Sequence, residues 1–527
     1  MQDLQNPAAL GAMVPITVRE RIQALDVIRG FALIGIFLMN VEWFTRPIVD
    51  LGTGVDVNQT GLSYAASWFI VTFVQGKFWT MFSLLFGMGF AVMLTRAEDN
   101  NRVFVTPYLR RIVGLFLFGS AHFVMIWTGD ILHNYAVTAL ALLLIVTRSW
   151  KAWFAILLST AAVGFASGSG SWWSTGLFVA LAALAAVVVF KTEIDRWYKL
   201  LGMLAAAAAA ALAIGSASEN MSMNCVVLAL LAVLIYYLNR GAISRYYKFG
   251  AALFLVPYLG ILLYLLGTVT IPAMKPEMTA EQQKQRTERL AERVKDRKVE
   301  VELYTSGTYL ESVRHRAKEY KGELPQMAGG GMMALSLFLI GFWFIRSGVM
   351  TNVRENLPVF RRLLAWSLPT GLAITLASVL LHPSFIPGHN REPSVMFSRL
   401  LFEIGALPLT LGYVSGLVCL LATTRGARIL SPLRHAGQMA LTNYLGASVI
   451  SSAYFYGYGL GHFGQVSRAG QVFFVAVVFG LQLIFSKLWL SHFRYGPMEW
   501  LRRAITYWQL PPMRREAFPA MPGMAGT

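Results

Sequence analysis

Charge is scarce in this sequence. Asp, Glu, Lys and Arg make up 14% of its 527 residues, where soluble globular chains carry roughly 25%. Cysteine is scarcer still, with Cys225 and Cys419 the only two. Acid is the rarer sign, with 27 Asp and Glu against 45 Lys and Arg, a net charge of +18. The first 18 residues hold no Lys or Arg and no compact apolar core. Each shortage excludes something. Two cysteines exclude a disulfide scaffold, and the topology derived below puts them near opposite membrane faces, so no bridge between them is expected. The missing basic n-region argues against a cleaved signal peptide, which leaves the first apolar span to carry targeting. What fills the space is apolar: 56% hydrophobic residues, 13% aromatics and a mean hydropathy of +0.54. That balance excludes a disordered chain and a nucleic-acid-binding domain. It predicts an all-α fold, a polytopic transmembrane helix bundle whose first partner is the lipid bilayer.

A spanning helix needs about 20 mostly apolar residues. That ruler predicts about fourteen spans, near 29–45, 77–95, 110–127, 131–147, 152–168, 173–190, 200–216, 223–239, 248–268, 328–345, 363–381, 399–421, 436–456 and 471–491. The apolar stretch 61–75 would break the charge alternation if it crossed, so it reads as a short interfacial or re-entrant helix. Five regions follow: 1–150, an N-terminal membrane region; 151–269, additional membrane helices; 270–327, a charged extramembrane loop; 328–510, a C-terminal membrane domain; and 511–527, a cytoplasmic tail. Residues 152–190 carry no charge and 205–211 are all alanine. Such small residues suit close helix packing in lipid, so this block reads as scaffold.

The basic residues decide orientation. Arg19, Arg21, Arg29, Arg110, Arg111 and their counterparts at one set of span ends total 27 Lys and Arg, whereas the short opposite loops hold four: Arg46, Arg391, Arg399 and Arg468. This positive-inside bias predicts a multi-pass membrane protein with both termini in the cytoplasm. It also accounts for the charge without nucleic acid. The 270–327 loop should then face outward. Its 12 basic and 10 acidic residues nearly cancel. Thr279 with Gln282 and Thr308 with Glu311 have the spacing of capping boxes, which predicts two short helices divided at Ser306-Gly307.

Several polar residues lie where lipid would penalise them. Asp26, Arg29, Leu33, Ile36 and Asn40 share one face of the first span by their spacing, and Glu42 follows. Asp26 and Arg29 form a structural ion pair or an anion seat built around the guanidinium. The third span offers Arg110 and Arg111 and then His122, with Asp130 and His133 beyond the turn. His122 is the one histidine placed well within a span. It is a general base oriented by Asp130, or it only bonds a neighbouring helix. The spacing of His122, Asp130 and His133 matches no zinc motif, so no metal is assigned. Lys77 should snorkel to the outer interface, and Glu403 is a lone carboxylate in its span. Gln438 and Thr442 repeat at i+4 beside Asn443; these are interhelical hydrogen bonds or parts of a substrate path. The stretch around Arg494 to Arg502 is amphipathic and basic, suited to the inner membrane surface.

Six motifs occur in order: Arg21-Ile22 with Leu25-Asp26 and Arg29-Gly30; Lys77-Phe78 with Phe82-Ser83 and Phe86-Gly87; Gly129-Asp130-Ile131-Leu132; Tyr304 with Gly307-Thr308-Tyr309; Met439-Ala440-Leu441-Thr442-Asn443-Tyr444; and Phe493-Arg494-Tyr495-Gly496-Pro497 with Glu499-Trp500. Together they resemble the YeiB-like family of bacterial membrane proteins, named for domain of unknown function 418, over roughly 20–150 and 300–510. The helices at 152–240 look like an addition to that family's usual length. The family's amino-terminal half is similar to transmembrane acyltransferases such as heparan-glucosaminide acetyltransferase. The resemblance implies acyl transfer by analogy.

Two readings of function stand. In the first, cytoplasmic acyl-CoA (acetyl-CoA, for example) binds as co-substrate near Arg29, Arg110 and Arg111, with no tightly bound cofactor. An extracytoplasmic acceptor, a glycan or lipid, gives its proton to His122. In the second, Asn40, Glu42, His122, Glu403 and Asn443 line the path of a small-solute transporter. The absence of a clear internal repeat weighs mildly against the second.

Overall fold

The computed structural model describes residues 22–50, 54–147, 244–270, 280–323, 327–385 and 392–515. The described residues form helices and no β-sheet, with two isolated bridges, Gly54 to Ser384 and Phe493 to Arg514. The helices are α1 (Gln23–Asn40), α2 (Gly61–Phe69), α3 (Lys77–Asp99), α4 (Val105–Met125), α5 (Leu132–Thr147), α6 (Ser244–Thr270), α7 (Ala280–Ser306), α8 (Tyr309–Glu323), α9 (Met327–Arg346), α10 (Leu357–Leu381), α11 (Pro393–Leu421), α12 (Thr424–Gln438), α13 (Ala440–Phe455), α14 (Arg468–His492) and α15 (Pro497–Tyr507). The fold is a helical membrane bundle. Among the described residues five helical stretches are long and apolar enough to cross a membrane: Gln23–Phe44, Gly61–Asp99, Leu357–Leu381, Pro393–Leu421 and Arg468–His492. Leu132–Leu143 and Met333–Arg346 are shorter apolar helices. Every expected span outside 152–240 falls on a helix. The four expected within 152–240, the alanine run and Cys225 lie outside the described residues.

One expected boundary changes, and one expected short helix takes a defined form. The stretch 436–456 is not one helix. It breaks at Met439, where ψ is 34°, leaving α12 as a separate polar helix before α13. The stretch 61–75 is a helix of its own that continues as a π-helical turn over Ile70–Val74. It ends at Gln75 and Gly76, whose φ of +80° suits glycine alone.

The bundle has two distinguishable ends. At the first end α1 begins against α12 at a backbone contact that only glycine permits. A Cβ on Gly437 would sit 1.8 Å from the Asp26 carbonyl oxygen, and one on Gly30 would sit 2.0 Å from the Leu433 oxygen. Helix α15 packs beside α4 and α13 at this end. At the far end Arg468 pairs with Glu42 at 2.8 Å, and Gly464 N–H donates to the Thr45 carbonyl. The α7–α8 pair covers the far end. Arg316 donates to the Val124 and Met125 carbonyls that close α4, both at 3.0 Å, and Gly457 N–H donates to the Tyr304 carbonyl.

The expected division at Ser306-Gly307 is present. So is the second capping box: Thr308 N–H donates to Glu311 Oε2 at 2.8 Å, and Glu311 N–H donates back to Thr308 Oγ1 at 3.3 Å. Helix α7 is not short, however, and runs for 27 residues. Thr279 of the first box lies outside the described residues.

Candidate functional site

At the first end a cavity of about 250 Å³ opens among α1, α3, α4, α5, α12, α13 and α15. Its polar lining is unbalanced. Arg29, Arg111, Arg494, Arg502 and Arg503 face Asp26 and Glu499. Both acids are already engaged. Asp26 Oδ1 accepts from Arg29 at 2.9 Å, and its Oδ2 accepts from Gln438 at 3.3 Å. Glu499 Oε1 accepts the Leu441 and Thr442 backbone N–H groups at 2.6 and 3.2 Å, and its Oε2 accepts Thr442 Oγ1 at 2.6 Å. Neither Arg111 nor Arg502 forms an ion pair among the described residues. Arg111 lies over the rings of Phe86 and Tyr108 instead. Burial, with Arg111 and Arg503 close by, pushes the Arg502 guanidinium down to about 9. It stays charged at neutral pH. Arg111 and Arg502, with no ion pair among the described residues, suit an anion, and a forked donor suits phosphate oxygens.

Deeper in, the cavity is apolar and aromatic, lined by Leu115, Ile131, Leu132, Tyr135 and Tyr444. Tyr444 also touches the cluster beyond. Its ring centroid is 5.3 Å from that of His122, and its hydroxyl lies 3.5 Å from Asp130 Oδ1. There His122 Nδ1 meets Asp130 Oδ1 at 2.8 Å, and His133 Nδ1 meets Asp130 Oδ2 at 2.9 Å. The Leu132 and His133 backbone N–H groups also donate to Oδ2. All three side chains are buried, with exposures of 2, 4 and 1% for His122, Asp130 and His133.

This arrangement follows from local sequence. The turn after α4 lets Asp130 cap the start of α5, and Gly119 leaves room for it; a Cβ there would lie 2.3 Å from His133 N and 2.7 Å from Asp130 Oδ2. Burial alone would raise the Asp130 carboxyl, but the two histidine hydrogen bonds outweigh it and hold the group below its ordinary range. A carboxylate can only accept, so each ring donates through Nδ1–H. Each Nε2 is then the basic nitrogen, and both are buried without a hydrogen-bond partner among the described residues. The contact is a His–carboxylate–His relay.

The other expected site residues divide. Arg29, Arg111, Asp26 and Gln438 line the cavity, and Thr442 positions Glu499. Arg110 does not line it; its guanidinium stacks over Trp508 at 5.4 Å. Lys77 does not snorkel. It has no exposed surface, lies 4.1 Å from the Phe402 ring centroid and donates to the Val71 carbonyl. Helix α3 starts inside the bundle, against the π-helical turn and α11, so the lysine begins below the surface. Asn443 donates to Ser486 and to the Ala436 carbonyl, an interhelical contact, and with Asn40 it lines a minor cavity. Glu42 belongs to the far end, paired with Arg46 at 2.9 Å and with Arg468. The basic stretch at 494–503 turns three arginines into the cavity, where the sequence suggested only a membrane surface. Tyr135 and Tyr444 were missed as site residues. Tyr444 ends the Met439–Tyr444 motif, which was the available signal. Among the described residues, the three side chains that could share a metal ion are Glu300, His315 and Glu319, not the relay.

Comparison with known proteins agrees with the sequence motifs. Residues 344–509 match the family described as "Protein of unknown function (DUF418)". The chain is 26% identical over 520 residues to "Uncharacterized protein YxaH" of Bacillus subtilis (strain 168), covering 95% of this chain and 98% of that protein. It is 23% identical over 498 residues to "Uncharacterized protein YeiB" of Escherichia coli (strain K12), covering 92% and 96%. An uncharacterized 39.9 kDa protein of Bacillus acidopullulyticus is 23% identical over 500 residues, 94% of this chain and 96% of that one. No solved structure matches. The chain is a helical membrane protein whose residues 344–509 match the DUF418 family and which is similar over nearly its whole length to the YxaH and YeiB proteins.

Proposed function

We propose that this protein is a transmembrane acyltransferase of a bacterial inner membrane, taking an acyl group from cytoplasmic acyl-CoA to a hydroxyl or amine of a glycan or lipid acceptor at the outer face. The observation that carries the reading is one cavity with surplus arginines at its mouth and the His122–Asp130–His133 relay behind its inner wall. Arg111 and His122 lie eleven residues apart on one helix, so their levels differ by about 16 Å at 1.5 Å per residue. That distance suits a co-substrate whose phosphates and reactive carbonyl are far apart. The positive-inside bias puts the arginines, both chain termini and α15 on the cytoplasmic side, and the α7–α8 pair outside.

In the transfer, His122 Nε2 takes the acceptor's O–H or N–H proton as the acceptor atom bonds to the thioester carbonyl carbon. The C–S bond breaks, and the thiolate leaves with the proton that His122 carried. Asp130 holds the ring so that Nε2 is the basic nitrogen and stabilises the imidazolium, and His133 buttresses Asp130.

The test is acyl-CoA binding to the purified chain. Calorimetry should give saturable binding of acetyl-CoA that weakens with salt and weakens about tenfold or more in Arg502→Gln. No binding at millimolar acetyl-CoA, together with solute uptake into proteoliposomes, would replace this reading with that of a small-solute transporter.

A further inference from the structure

The helix pair at the far end carries three side chains that acyl transfer leaves unused. Glu300 projects from α7, and His315 and Glu319 lie one turn apart on α8. One ligand atom from each lies within 4.8 Å of the other two. Glu300 is 2% exposed, and its one hydrogen bond among the described residues comes from the Ile48 backbone N–H at 2.5 Å. No Lys or Arg pairs with it there. A buried carboxylate beside a second carboxylate is costly unless a cation compensates it. His315 Nε2 sits 3.1 Å from Glu319 Oε1 yet is buried and makes no aligned hydrogen bond.

We propose that Glu300, His315 and Glu319 form a zinc site that ties the α7–α8 pair to the segment following α1. One imidazole nitrogen and two carboxylate oxygens are donors that zinc accepts, at about 2.0–2.2 Å each, with a fourth tetrahedral position left to water. The i, i+4 spacing of His315 and Glu319 puts both on one face of α8, and Glu300 closes the site from α7. The ligand atoms need to draw together by roughly 1 Å to reach one ion at those bond lengths. Magnesium and calcium prefer a shell of six or more oxygens, and an imidazole disfavours them. The mechanical consequence follows from the neighbours. Ile48 bonds Glu300 directly, and Asp50, two residues on, pairs with Arg297 of α7 at 2.9 Å. An ion held here stiffens the joint between the first span and the helices that cover the far end.

The experiment uses the full chain without an affinity tag, in detergent, stripped with a chelator and then titrated with Zn²⁺. Mass spectrometry should count one zinc per chain. Zinc at a hundred times its Kd should raise Tm by about 2 °C or more, and Mg²⁺ at the same concentration should not. His315→Ala and Glu319→Gln alter part-exposed side chains. Both should elute as the parent does, and both should lose the bound zinc and the Tm shift. Glu300→Gln should do the same if it folds. Unchanged stoichiometry and shift in His315→Ala and Glu319→Gln, or no zinc-dependent shift in the parent, would overturn the site. These readouts do not depend on any acyl-transfer activity.

Discussion

The two ends of the bundle treat charge in opposite ways. At the far end the charges on the segment that follows the first span are paired. Glu42 holds Arg46 and Arg468, Asp56 also reaches Arg46, Asp50 holds Arg297, and Arg316 is spent on two carbonyls. The cavity there is small, about 20 Å³. At the first end a cavity more than ten times larger is lined by Arg111 and Arg502, which form no ion pair among the described residues, while Asp26 is taken by Arg29 and Glu499 by Thr442 and two backbone N–H groups. Paired charges hold a structure together, whereas surplus charges around a void wait for a ligand. Composition cannot make that distinction, because an arginine counts the same in either place.

The comparison breaks most sharply at the relay. If the cavity that opens at the first end leads to a reaction chamber at the His122 cluster, His122→Ala should reduce acyl transfer by about 10²–10⁴-fold, measured as acyl-CoA consumed per chain with acceptor-containing membranes, while acetyl-CoA binding is retained. Asp130→Asn should cost less, since Asp130 orients the ring and does not touch the acceptor. Full activity in His122→Ala would return the histidine to a packing role.

Next in size is Glu42→Gln, which tests the opposite end. It leaves Arg468, 2% exposed, without its carboxylate. The expected loss is about 2–3 kcal/mol of stability, the cost of an uncompensated buried charge, seen in thermal unfolding with acetyl-CoA affinity unchanged. An effect on affinity and none on stability would reverse the assignment of the two ends.

The arginine substitutions sharpen the first end. Arg502→Gln and Arg111→Gln should each weaken acetyl-CoA by about tenfold, near 1.4 kcal/mol, with stability preserved because neither forms an ion pair. Arg110→Gln should change affinity little, since its guanidinium packs on Trp508. Equal effects from all three would point to a diffuse surface potential and not to a site.

The smallest expected effect is at the capping box. Thr308→Ala removes two of its hydrogen bonds and should cost about 1 kcal/mol, read as roughly fivefold faster amide exchange at 309–312 with acetyl-CoA binding untouched.

Much of the fold was legible because spanning helices are local events. Twenty apolar residues in a row announce themselves, and the capping box at Thr308 is complete within four residues. The site was legible in part. His122 stood out as a polar group at membrane depth, and Arg29, Arg111 and Asp130 as charges at the ends of spans. His122 and Asp130 are eight residues apart, so one turn suffices to join them. Arg494, Arg502 and Arg503 could not be assigned the same way. An amphipathic basic helix fits a membrane surface as well as a cavity mouth, and only the packing of α15 against α4 and α13 turns it inward. Lys77 was misplaced for a related reason: its distance from the surface depends on how α11, more than 300 residues away in sequence, packs over it.

The sequence by itself determined that this chain is a helical membrane protein, where its long apolar helices lie among the described residues and where its positive charge is concentrated. Those properties follow from the cost of placing polar groups in lipid, which acts residue by residue. Only the tertiary structure decided which charges are paired, that two histidines share one aspartate next to Tyr444, and that Glu300 meets His315 and Glu319. Those outcomes depend on how helices from distant parts of the chain approach one another. That approach is set by contacts such as Gly437 on the Asp26 backbone, 411 residues apart, which no local periodicity encodes.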